Sequence, residues 1–541
     1  MLRIKAIFLR PSNPTGSAYL TKFGFLPVPL GILQLAADVR DAGGWHVSVI
    51  DMEADSISEG EVIDQIVKQG PDLLGITLHA TAAHSTSGRI ATAVKKALPD
   101  VVTVAGGHHA TFLPHEMLKA GFDLVAIGEG DGTIRDIAIE MEGKRNFSRI
   151  PGLAYMDGGR CIRTEPRELI TNLDSLPLPA FELVDSARYT FGVFGKDNRV
   201  ACIETSRGCP YACDFCSVTP TWGNKWRNKS VGRTIAEMEL AEKYGYNWIF
   251  FTDDIFVVPP TVEMRRNLFK RIMERGFRFR WIAQMRADIT SKNPDLIKKA
   301  AEAGLTVAFL GVESGSQEVL KKMHKGIFTP QSLKAVQVLS SNGVVVLVGM
   351  MLGAPYETFK DMLMSIKFSN KLADAGADAL QFSIYTPLPG TRIFYDALTQ
   401  GKLFTLDWDR YDILTPVSRG KVHPSIVQLM QFYGTYSFYV RKFFKNMLVR
   451  KKPVGAKRDL MLNATRYIFD MMPVYIRDMA KFPAHFLETA RKYREASRLK
   501  ISNEDVKELV QYTGNIIYKQ IEGFSNPYFI IGEDGKRRAG H

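Results

Sequence analysis

The chain has 541 residues, of which 45% are hydrophobic and 23% are charged, and its formal net charge is +13. This length predicts about three domains, and the apolar content excludes disordered, collagen-like and low-complexity proteins. The longest strongly apolar run, Val344 to Leu352, is far shorter than the ~20 residues of a membrane-spanning helix. Because no signal-peptide pattern precedes the first apolar run, we expect a cytoplasmic protein.

The first predicted domain covers residues 1–145 and alternates short apolar runs with amphipathic stretches. The predicted strands are Ile4–Leu9, His46–Ile50, Leu73–Leu78, Val101–Ala105 and Leu124–Ile127. Helices are predicted over Gly31–Ala42, Glu59–Lys68 and Ser87–Leu98. This alternation indicates an α/β fold with a doubly wound, Rossmann-like parallel sheet. Its ligand is expected at the loops that follow the strands, which are rich in Gly, Thr and His (residues 10–16, 77–81, 106–111 and 128–133).

Residues 146–195 contain scattered Pro and Gly and are interpreted as a connector. Strand and helix patterns resume over residues 196–404, with strands predicted at Ala201–Glu204, Trp248–Phe251, Arg280–Gln284, Val307–Gly311, Val344–Gly349 and Gln381–Tyr385. Six such units predict a partial (βα)6 barrel with its active site at the carboxyl ends of the strands. Beyond about residue 405 the strand signals stop, so residues 405–541 are expected to form a mainly helical domain.

The cysteines are concentrated at one place: they occur at 161, 202, 209, 213 and 216. A disulfide framework would spread them along the chain. Cys209, Cys213 and Cys216 are instead spaced C-x3-C-x2-C directly after a predicted strand, and three thiolates can hold three irons of a [4Fe–4S] cluster. A structural zinc site is the alternative, although no second cysteine pair supplies the usual four ligands. Cys202 and Cys161 are expected to be packing residues.

The C-x3-C-x2-C pattern, with Phe215 before its last cysteine, resembles the radical S-adenosylmethionine (SAM) superfamily. The resemblance implies a [4Fe–4S] cluster whose open iron binds SAM and cleaves it to a 5′-deoxyadenosyl radical. Phe251–Phe256 resembles the second-strand segment of that family, Gln284–Asp288 the fourth-strand segment and Gly311–Gly315 the segment that contacts the cofactor. Residues 353–358 and 387–391 match the last two segments. The SAM contacts implied by these motifs are Phe215, Asp253, Asp254, Arg286, Glu313 and Ser314.

A doubly wound domain placed before such a barrel resembles the cobalamin-binding (B12-binding) class of radical SAM enzymes, and both resemblances together cover residues 1 to about 400. The implied cobalamin contacts are Pro29, Gly31, Thr77, His79, Gly106, Gly107, His108, Gly128, Glu129 and Gly130. The D-x-H-x-x-G pattern, whose histidine ligates cobalt in many B12 proteins, is absent. We therefore expect His79, His84, His108 and His109 to be surface or corrin-edge contacts rather than cobalt ligands. Loss of cobalamin from the domain is a further alternative.

The resemblance implies methylation of an unactivated carbon by radical hydrogen abstraction and methyl transfer from cobalamin. The alternatives are an oxidative cyclase of the anaerobic magnesium-protoporphyrin ester type, a ring-forming enzyme of the archaeal lipid type, and a non-catalytic corrinoid sensor. No catalytic residue is assigned. The expected partners are a small, hydrophobic, lipid- or isoprenoid-like or porphyrin substrate and an electron donor of the flavodoxin or ferredoxin type.

The charge is also local: residues 441–500 contain sixteen Lys and Arg against five Asp and Glu, which leaves +11 of the excess there. Apolar residues recur at helical spacing over 432–448 and again over 467–480. A basic amphipathic surface is typical of peripheral membrane binding at the inner face of the membrane. The alternative is a helical domain that packs its apolar stripe on the barrel. Nucleic-acid binding is not expected, because no dedicated RNA-binding pattern follows the barrel.

Overall fold

The computed structural model describes residues 4–12, 24–195 and 197–448, together with scattered residues between 455 and 539. Its first sheet has the strand order β2-β1-β3-β4-β5-β6-β7. The strands are β1 (Lys5–Arg10), β2 (His46–Asp51), β3 (Leu73–Thr77), β4 (Val102–Gly106), β5 (Leu124–Ala126), β6 (Leu153–Asp157) and β7 (Arg160–Arg163). Strands β1 to β5 are parallel, which confirms the doubly wound prediction.

Helices cover both faces of this sheet, and apolar cores lie on either side of it. They are α1 (Leu30–Ala42), α2 (Met52–Asp55), α3 (Glu59–Gln69), α4 (His84–Ala97), α5 (His108–Phe112), α6 (Pro114–Lys119) and α7 (Gly130–Glu142). Local chemistry sets their ends: at α3, Ser58 and Glu61 form a reciprocal capping box, and Gly70 ends the helix in a left-handed conformation. Strand β1 pairs with both β2 and β3, so the chain changes direction across the sheet between these two neighbours.

Part of the predicted connector belongs to the first sheet. Strand β6 pairs antiparallel with β5, and β7 pairs antiparallel with β6, so residues 153–163 extend the sheet as a hairpin. The sequence prediction was wrong here because β7 is half-exposed and shows no alternation of polar and apolar residues. Only the part after β7 is a connector, and it consists of short 3-10 turns and extended chain.

The second domain contains six parallel strands in the order β15-β14-β13-β12-β11-β8, which confirms the predicted partial barrel. They are β8 (Val200–Ile203), β11 (Trp248–Phe251), β12 (Arg280–Arg286), β13 (Leu305–Glu313), β14 (Val345–Leu352) and β15 (Ala379–Ile384). Two further strands of two residues each, β9 (Ser206–Arg207) and β10 (Arg227–Asn228), form a separate antiparallel pair. Residues 284–288 therefore end the third barrel strand, not the fourth as predicted.

The barrel helices lie outside these strands and bury an apolar core that includes Phe251 and Trp281. They are α8 (Val218–Trp222), α9 (Val231–Lys243), α10 (Val262–Glu274), α11 (Ala287–Lys292), α12 (Pro294–Glu302), α13 (Gln317–Lys322), α14 (Thr329–Ser341), α15 (Phe359–Ala375) and α16 (Arg392–Thr399). Each strand therefore delivers its carboxyl end to the same rim, where the site is expected.

The third region begins with irregular chain and continues into α17 (Pro424–Leu448), a longer helix than the one predicted over 432–448. Of the second predicted helix, over 467–480, only Ala480 is among the described residues. Strands β16 (Phe529–Ile531) and β17 (Arg537–Ala539) form an antiparallel pair, so the expectation that strands stop after residue 405 was wrong. Among the helices that the structure describes, none combines the length and apolar character needed to cross a membrane.

Candidate functional site

The three cysteines of the C-x3-C-x2-C pattern lie on one half-buried loop between β9 and α8. The loop begins at Gly208, which has a φ of +91° and approaches Lys225 so closely that a Cβ would lie 2.5 Å from its carbonyl oxygen. Only glycine fits this turn without strain. The antiparallel pair of β9 and β10 fixes the start of the loop, so the thiols lie at the carboxyl ends of the barrel strands.

The three thiols influence one another electrostatically. Burial raises the pKa of Cys209 to about 11, and repulsion from Cys213 contributes to the rise. Burial also raises the pKa of Cys213 and of Cys216, and Cys216 is affected by both other cysteines. Ligation by a positively charged cluster reverses this cost because it stabilises the thiolates.

The donor set suits a cluster better than a single ion. Within the described part of the chain, no group of three or more His, Cys, Asp or Glu side chains is arranged around one metal ion. An iron–sulfur cube holds its three cysteine sulfurs farther apart than a single zinc ion does. Three mutually interacting thiols on one loop therefore fit a [4Fe–4S] cluster and disfavour the zinc alternative.

Two cations stand beside aromatic residues of the cysteine loop. The Arg286 guanidinium lies 3.6 Å from the centroid of the Tyr211 ring, donates to Asp288 at 3.0 Å and donates to the Lys325 carbonyl at 2.8 Å. The Lys325 ammonium lies 5.8 Å from the centroid of the Phe215 ring. Both charges are buried near Cys213, and each is paired with a carboxylate, Arg286 with Asp288 and Lys325 with Glu313.

Lys325 is held by Glu313, one of the predicted SAM contacts. Their side chains form a buried ion pair of 2.5 Å. Glu313 has a φ of +67° at an irregularity in the pairing of β13 with β14, an uncommon and strained backbone for a residue with a side chain. Gly311 makes room for the pair, since a Cβ there would lie 2.6 Å from the Glu313 carboxylate. Sequence reasoning missed Lys325, because only the fold brings the segment after α13 back to the cysteine loop.

The same segment fixes the loop between two of the cysteines. The His324 Nδ1 atom lies 2.7 Å from the Asp214 carboxylate, and the Asp214 amide donates to the Met323 carbonyl. Residues 323–325 therefore brace the cysteine loop at its centre. His324 was also missed by sequence reasoning, because the contact spans 110 positions.

Two of the predicted SAM contacts are fully buried and bond to other barrel residues. Asp253 is fully buried, where its carboxylate accepts from the Thr205 hydroxyl at 2.5 Å, from Ser206 and from Arg265 at 3.3 Å. Ser314 is also fully buried and bonds to the Ser365 hydroxyl at 3.0 Å. Both side chains are bonded within the barrel, and their contact with SAM stays a prediction.

Asp254, the neighbour of Asp253, faces the cysteine loop. Burial raises its pKa to about 7, and the negative charges of Glu204 and Asp253 add to the effect. The Gly208 amide donates to this carboxylate, and the negative charge of Asp254 contributes to the raised pKa of Cys209 and Cys216. A buried carboxyl of this kind favours a cationic ligand, because a positive charge restores its ionised form.

At the carboxyl edge of the first sheet, glycine-rich loops leave open space. A Cβ added at Gly31 or at Gly128 would meet no other atom within 4 Å. Gly107, with a φ of +101°, packs on the Leu78 carbonyl group, where a Cβ would come within 2.8 Å. Thr77 and Gly106 end neighbouring strands there, while Pro29 is buried before α1 and Gly130 lies against Leu35. The backbone at this edge thus forms a cradle that suits a large, flat ligand such as cobalamin.

The four histidines near these loops are not equivalent. The side chain of His79 is open to solvent, yet the surrounding protein lowers its pKa to about 4 through burial and the nearby charge of Arg10. His79 therefore lies exposed on the loop that follows β3, close to Arg10. His108 lies 2.9 Å from the Thr221 hydroxyl oxygen, whereas His109 is buried and, with His84, packs against Trp408.

Glu129, a predicted cobalamin contact, connects the two domains. Its buried carboxylate accepts from Arg227 at 2.7 Å, from Arg207 at 3.3 Å and from the Ile170 amide at 2.7 Å. Asp131 accepts from Arg207 at 2.9 Å. Because Arg207 is two positions before Cys209, this ion network ties the first domain to the base of the cysteine loop, and the cobalamin contact of Glu129 stays a prediction.

Comparison with known proteins agrees with the division into two cofactor domains. A model of the B12 binding domain matches residues 16–138, and a model of the Radical SAM superfamily matches residues 203–369. An uncharacterized methyltransferase of Pyrococcus horikoshii is 33% identical over 440 residues, which cover 79% of this chain and 91% of that protein.

Two further relatives carry names of different reactions. The hopanoid C-3 methylase of Methylococcus capsulatus is 25% identical over 90% of this chain and 86% of its own length. The anaerobic magnesium-protoporphyrin IX monomethyl ester cyclase of Rubrivivax gelatinosus is 24% identical over 84% of this chain and 80% of its own length.

Solved structures share the fold. The cobalamin-dependent SAM radical enzyme OxsB, with aqua-cobalamin and SAM bound, superposes with a TM-score of 0.66 at 16% identity over 99% of this chain and 82% of its own. The radical SAM methyltransferase TsrM of Kitasatospora setae, with cobalamin and a [4Fe–4S] cluster bound, has a TM-score of 0.63 at 16% identity over 92% and 99% of the two chains.

Proposed function

The chain belongs to the cobalamin-dependent radical SAM enzymes, and we propose that it methylates an unactivated carbon of a hydrophobic small molecule. Its cofactors are a [4Fe–4S] cluster, SAM and cobalamin. When bound, they supply hydrogen-atom abstraction and methyl transfer, while the protein holds the reacting groups in place and excludes water.

One contact carries this proposal: His108, at the cobalamin edge of the first domain, bonds to Thr221 in the helix that follows Cys216. The two cofactor edges therefore face each other, as transfer between them requires. Cys209, Cys213 and Cys216 hold the cluster. In this proposal Arg286 and Lys325, each paired with one carboxylate, offer their remaining N–H groups to the SAM carboxylate, and Asp254 attracts its ammonium group.

The reaction class is tested in cells grown with methyl-deuterated methionine. Extracts of cells that make the wild-type enzyme are compared with extracts of cells that make Cys213→Ala, and Cys161→Ala serves as a control because Cys161 lies in β7, outside the cysteine loop. We expect a product that only the wild type and the control make and that carries a deuterated methyl group. An enzyme-dependent product that lacks the label and has lost hydrogen or gained oxygen would assign the chain to the cyclase group instead.

The cluster assignment has its own measurement in the purified proteins. Cys213→Ala removes one of three thiolates, so both the visible absorbance of the cluster and the formation of 5′-deoxyadenosine should be lost. Cys161→Ala should keep both. Formation of 5′-deoxyadenosine by Cys213→Ala would contradict the assignment.

The hydrophobic character of the proposed substrate is supported by α17. One face of this helix packs on the barrel through Val427, Met430 and Phe438. A second apolar stripe, formed by Ile426, Leu429, Tyr433, Tyr436 and Val440, has exposed fractions between 38% and 54%. Thus, the structure contains the barrel packing expected as an alternative and also an exposed apolar face.

We assign a lipid surface to this exposed stripe. The stripe runs directly into the basic residues 441–500, with a net charge of +11, and anionic headgroups attract such a segment by about 1 kcal/mol per basic residue. Arg441 and Lys442 are already paired with Asp374 and Asp378, so attraction must come from the basic residues that follow.

Flotation with vesicles that contain anionic lipid tests this assignment at low and high salt. We expect the wild type to float at low salt and the double variant Leu429→Glu/Tyr433→Glu to stay at the bottom. Ile139→Glu is the matched control, because Ile139 is an exposed apolar residue of α7 and should have no effect. Equal flotation of all three proteins, or of none, contradicts a lipid-binding stripe.

A further inference from the structure

We propose that His79 is the protein ligand of the cobalamin cobalt, although the chain lacks the sequence pattern usually associated with such a histidine. This inference deepens the proposed function, because it names the residue that meets the cobalt on the side of the first sheet. It rests on position, on a fixed backbone and on an open ring.

The position of His79 is at the natural ligand crevice of the sheet. In a parallel sheet with the order 2-1-3-4-5, the crevice opens between the loops after β1 and β3, where the chain changes direction. His79 is the second residue after β3, and Arg10, the last residue of β1, is close enough to influence its charge. A side chain here would reach a flat ring bound at the carboxyl edge of the sheet.

The backbone that carries His79 is fixed on both sides. The Leu78 amide donates to the Gly106 carbonyl at 2.7 Å, and the His109 amide donates to the Leu78 carbonyl at 3.2 Å. Gly107 packs directly on this peptide group and leaves no room for a side chain of its own. The Cα of His79 is therefore held by the end of β4, as a metal ligand needs to be.

The imidazole ring, in contrast, remains available. It is exposed to the crevice, and no described residue forms a hydrogen bond with it. Its neighbour Arg10 is committed to Asp51 through bonds of 2.8 and 2.5 Å. The other histidines of these loops differ from it: His108 bonds to Thr221, and His109 is fully buried against His84 and Trp408, although its ring nitrogens have no hydrogen-bond partner among the described residues.

Imidazole nitrogen is a good ligand for first-row transition metals, and histidine is the commonest protein ligand that offers it. The structure thus separates four histidines that are equivalent by sequence. One of them combines a fixed backbone with a free ring at the crevice, which is the combination that metal ligation requires.

The test is the electron paramagnetic resonance spectrum of the enzyme loaded with cob(II)alamin, produced with 15N-labelled histidine and recorded without substrate. A 14N ligand splits each high-field cobalt line into a triplet, and a 15N ligand splits it into a doublet. We expect a doublet for the wild type, which identifies a protein histidine. A triplet would identify the cofactor's own base, and unsplit lines would show no nitrogen ligand; either result overturns the proposal.

Variants identify the histidine. His79→Ala should lose the doublet, whereas His46→Ala should keep it, because His46 is exposed at the opposite, amino-terminal edge of the same sheet. His79→Gly supplied with unlabelled imidazole should give a triplet, since the free ligand replaces the missing ring. A doublet that persists in His79→Ala assigns the ligand to another histidine and contradicts the proposal. The wild-type spectrum depends on cobalamin binding alone, so an error in the proposed substrate does not affect it.

Discussion

His108 of the first domain and Thr221 of the barrel form a hydrogen bond of 2.9 Å between the two cofactor edges. The Thr221 hydroxyl donates its own proton to the Ser217 carbonyl, so the His108 Nδ1–H must be the donor to Thr221. This direction assigns the tautomer of a neutral His108, whose pKa is lowered by burial. A single bond thus positions the crevice relative to the helix that begins two residues after Cys216.

Thr221→Val removes the acceptor of this bond with little change in volume. A neutral hydrogen bond contributes about 1 kcal/mol, so we expect the fraction of 5′-deoxyadenosine events that end in methylated product to fall about fivefold. The cluster absorbance should not change. Thr399→Val is the matched control, because the Thr399 hydroxyl also donates to a carbonyl four residues earlier but lies on the surface. Unchanged coupling in Thr221→Val would show that the contact does not position the cofactors.

The neighbours Asp253 and Asp254 should respond in opposite ways to the same substitution. Asp253→Asn breaks a buried ion pair with Arg265 and should lower the free energy of unfolding by about 3 kcal/mol or more, measured by denaturant titration. Asp254→Asn should leave stability nearly unchanged and weaken SAM binding about tenfold to a hundredfold, because it removes a charge-assisted contact. Weaker SAM binding in folded Asp253→Asn, with normal binding in Asp254→Asn, would reverse the two roles.

Glu129→Gln tests the ion network between the domains. The substitution leaves Arg227 and Arg207 without one buried acceptor, and the loss of one partner of a buried pair costs about 3–5 kcal/mol. We expect a clear decrease in the unfolding midpoint of the purified protein. Glu59→Gln is the control, because the pair of Glu59 with Arg89 is largely exposed and is worth less than about 1 kcal/mol. Equal midpoints for the two variants would contradict a stabilising network.

Asp38 predicts a pH dependence of stability. Burial raises the pKa of this carboxyl to about 7, with repulsion from Asp131 as a second cause, although Arg135 donates to it at 2.7 Å. Above about pH 4 the unfolded chain loses this proton while the folded chain keeps it, so stability is lost as the pH rises from about 4 to about 7, at up to ~1.4 kcal/mol per pH unit. In denaturant titrations, the free energy of unfolding of Asp38→Asn should depend less on pH over this window than that of the wild type. The same pH dependence of the free energy of unfolding in wild type and variant would contradict the raised pKa of Asp38.

The secondary structure was largely readable from sequence. The five predicted strands of the first domain and the six of the barrel all occur within a few residues of their predicted positions, because buried parallel strands produce short apolar runs that helices separate. The hairpin of residues 153–163 was not readable, since an exposed edge strand such as β7 has no such pattern. The pair of β16 and β17 was missed for a different reason, because a strand of three residues is too short to show a period.

The sequence by itself predicted that Cys209, Cys213 and Cys216 act together, because a spacing of C-x3-C-x2-C keeps three thiols within eight consecutive residues. It could not determine which of two adjacent aspartates faces that loop, or that Glu129 bonds to Arg227 and Lys325 to Glu313. These are contacts between residues distant in sequence, and their partners are chosen by how strands and loops pack. The tertiary structure alone decided that the His79 ring is exposed and without a hydrogen bond to the described residues, while His108 bonds to Thr221 and His109 is buried, because only packing shows which side chains are accessible.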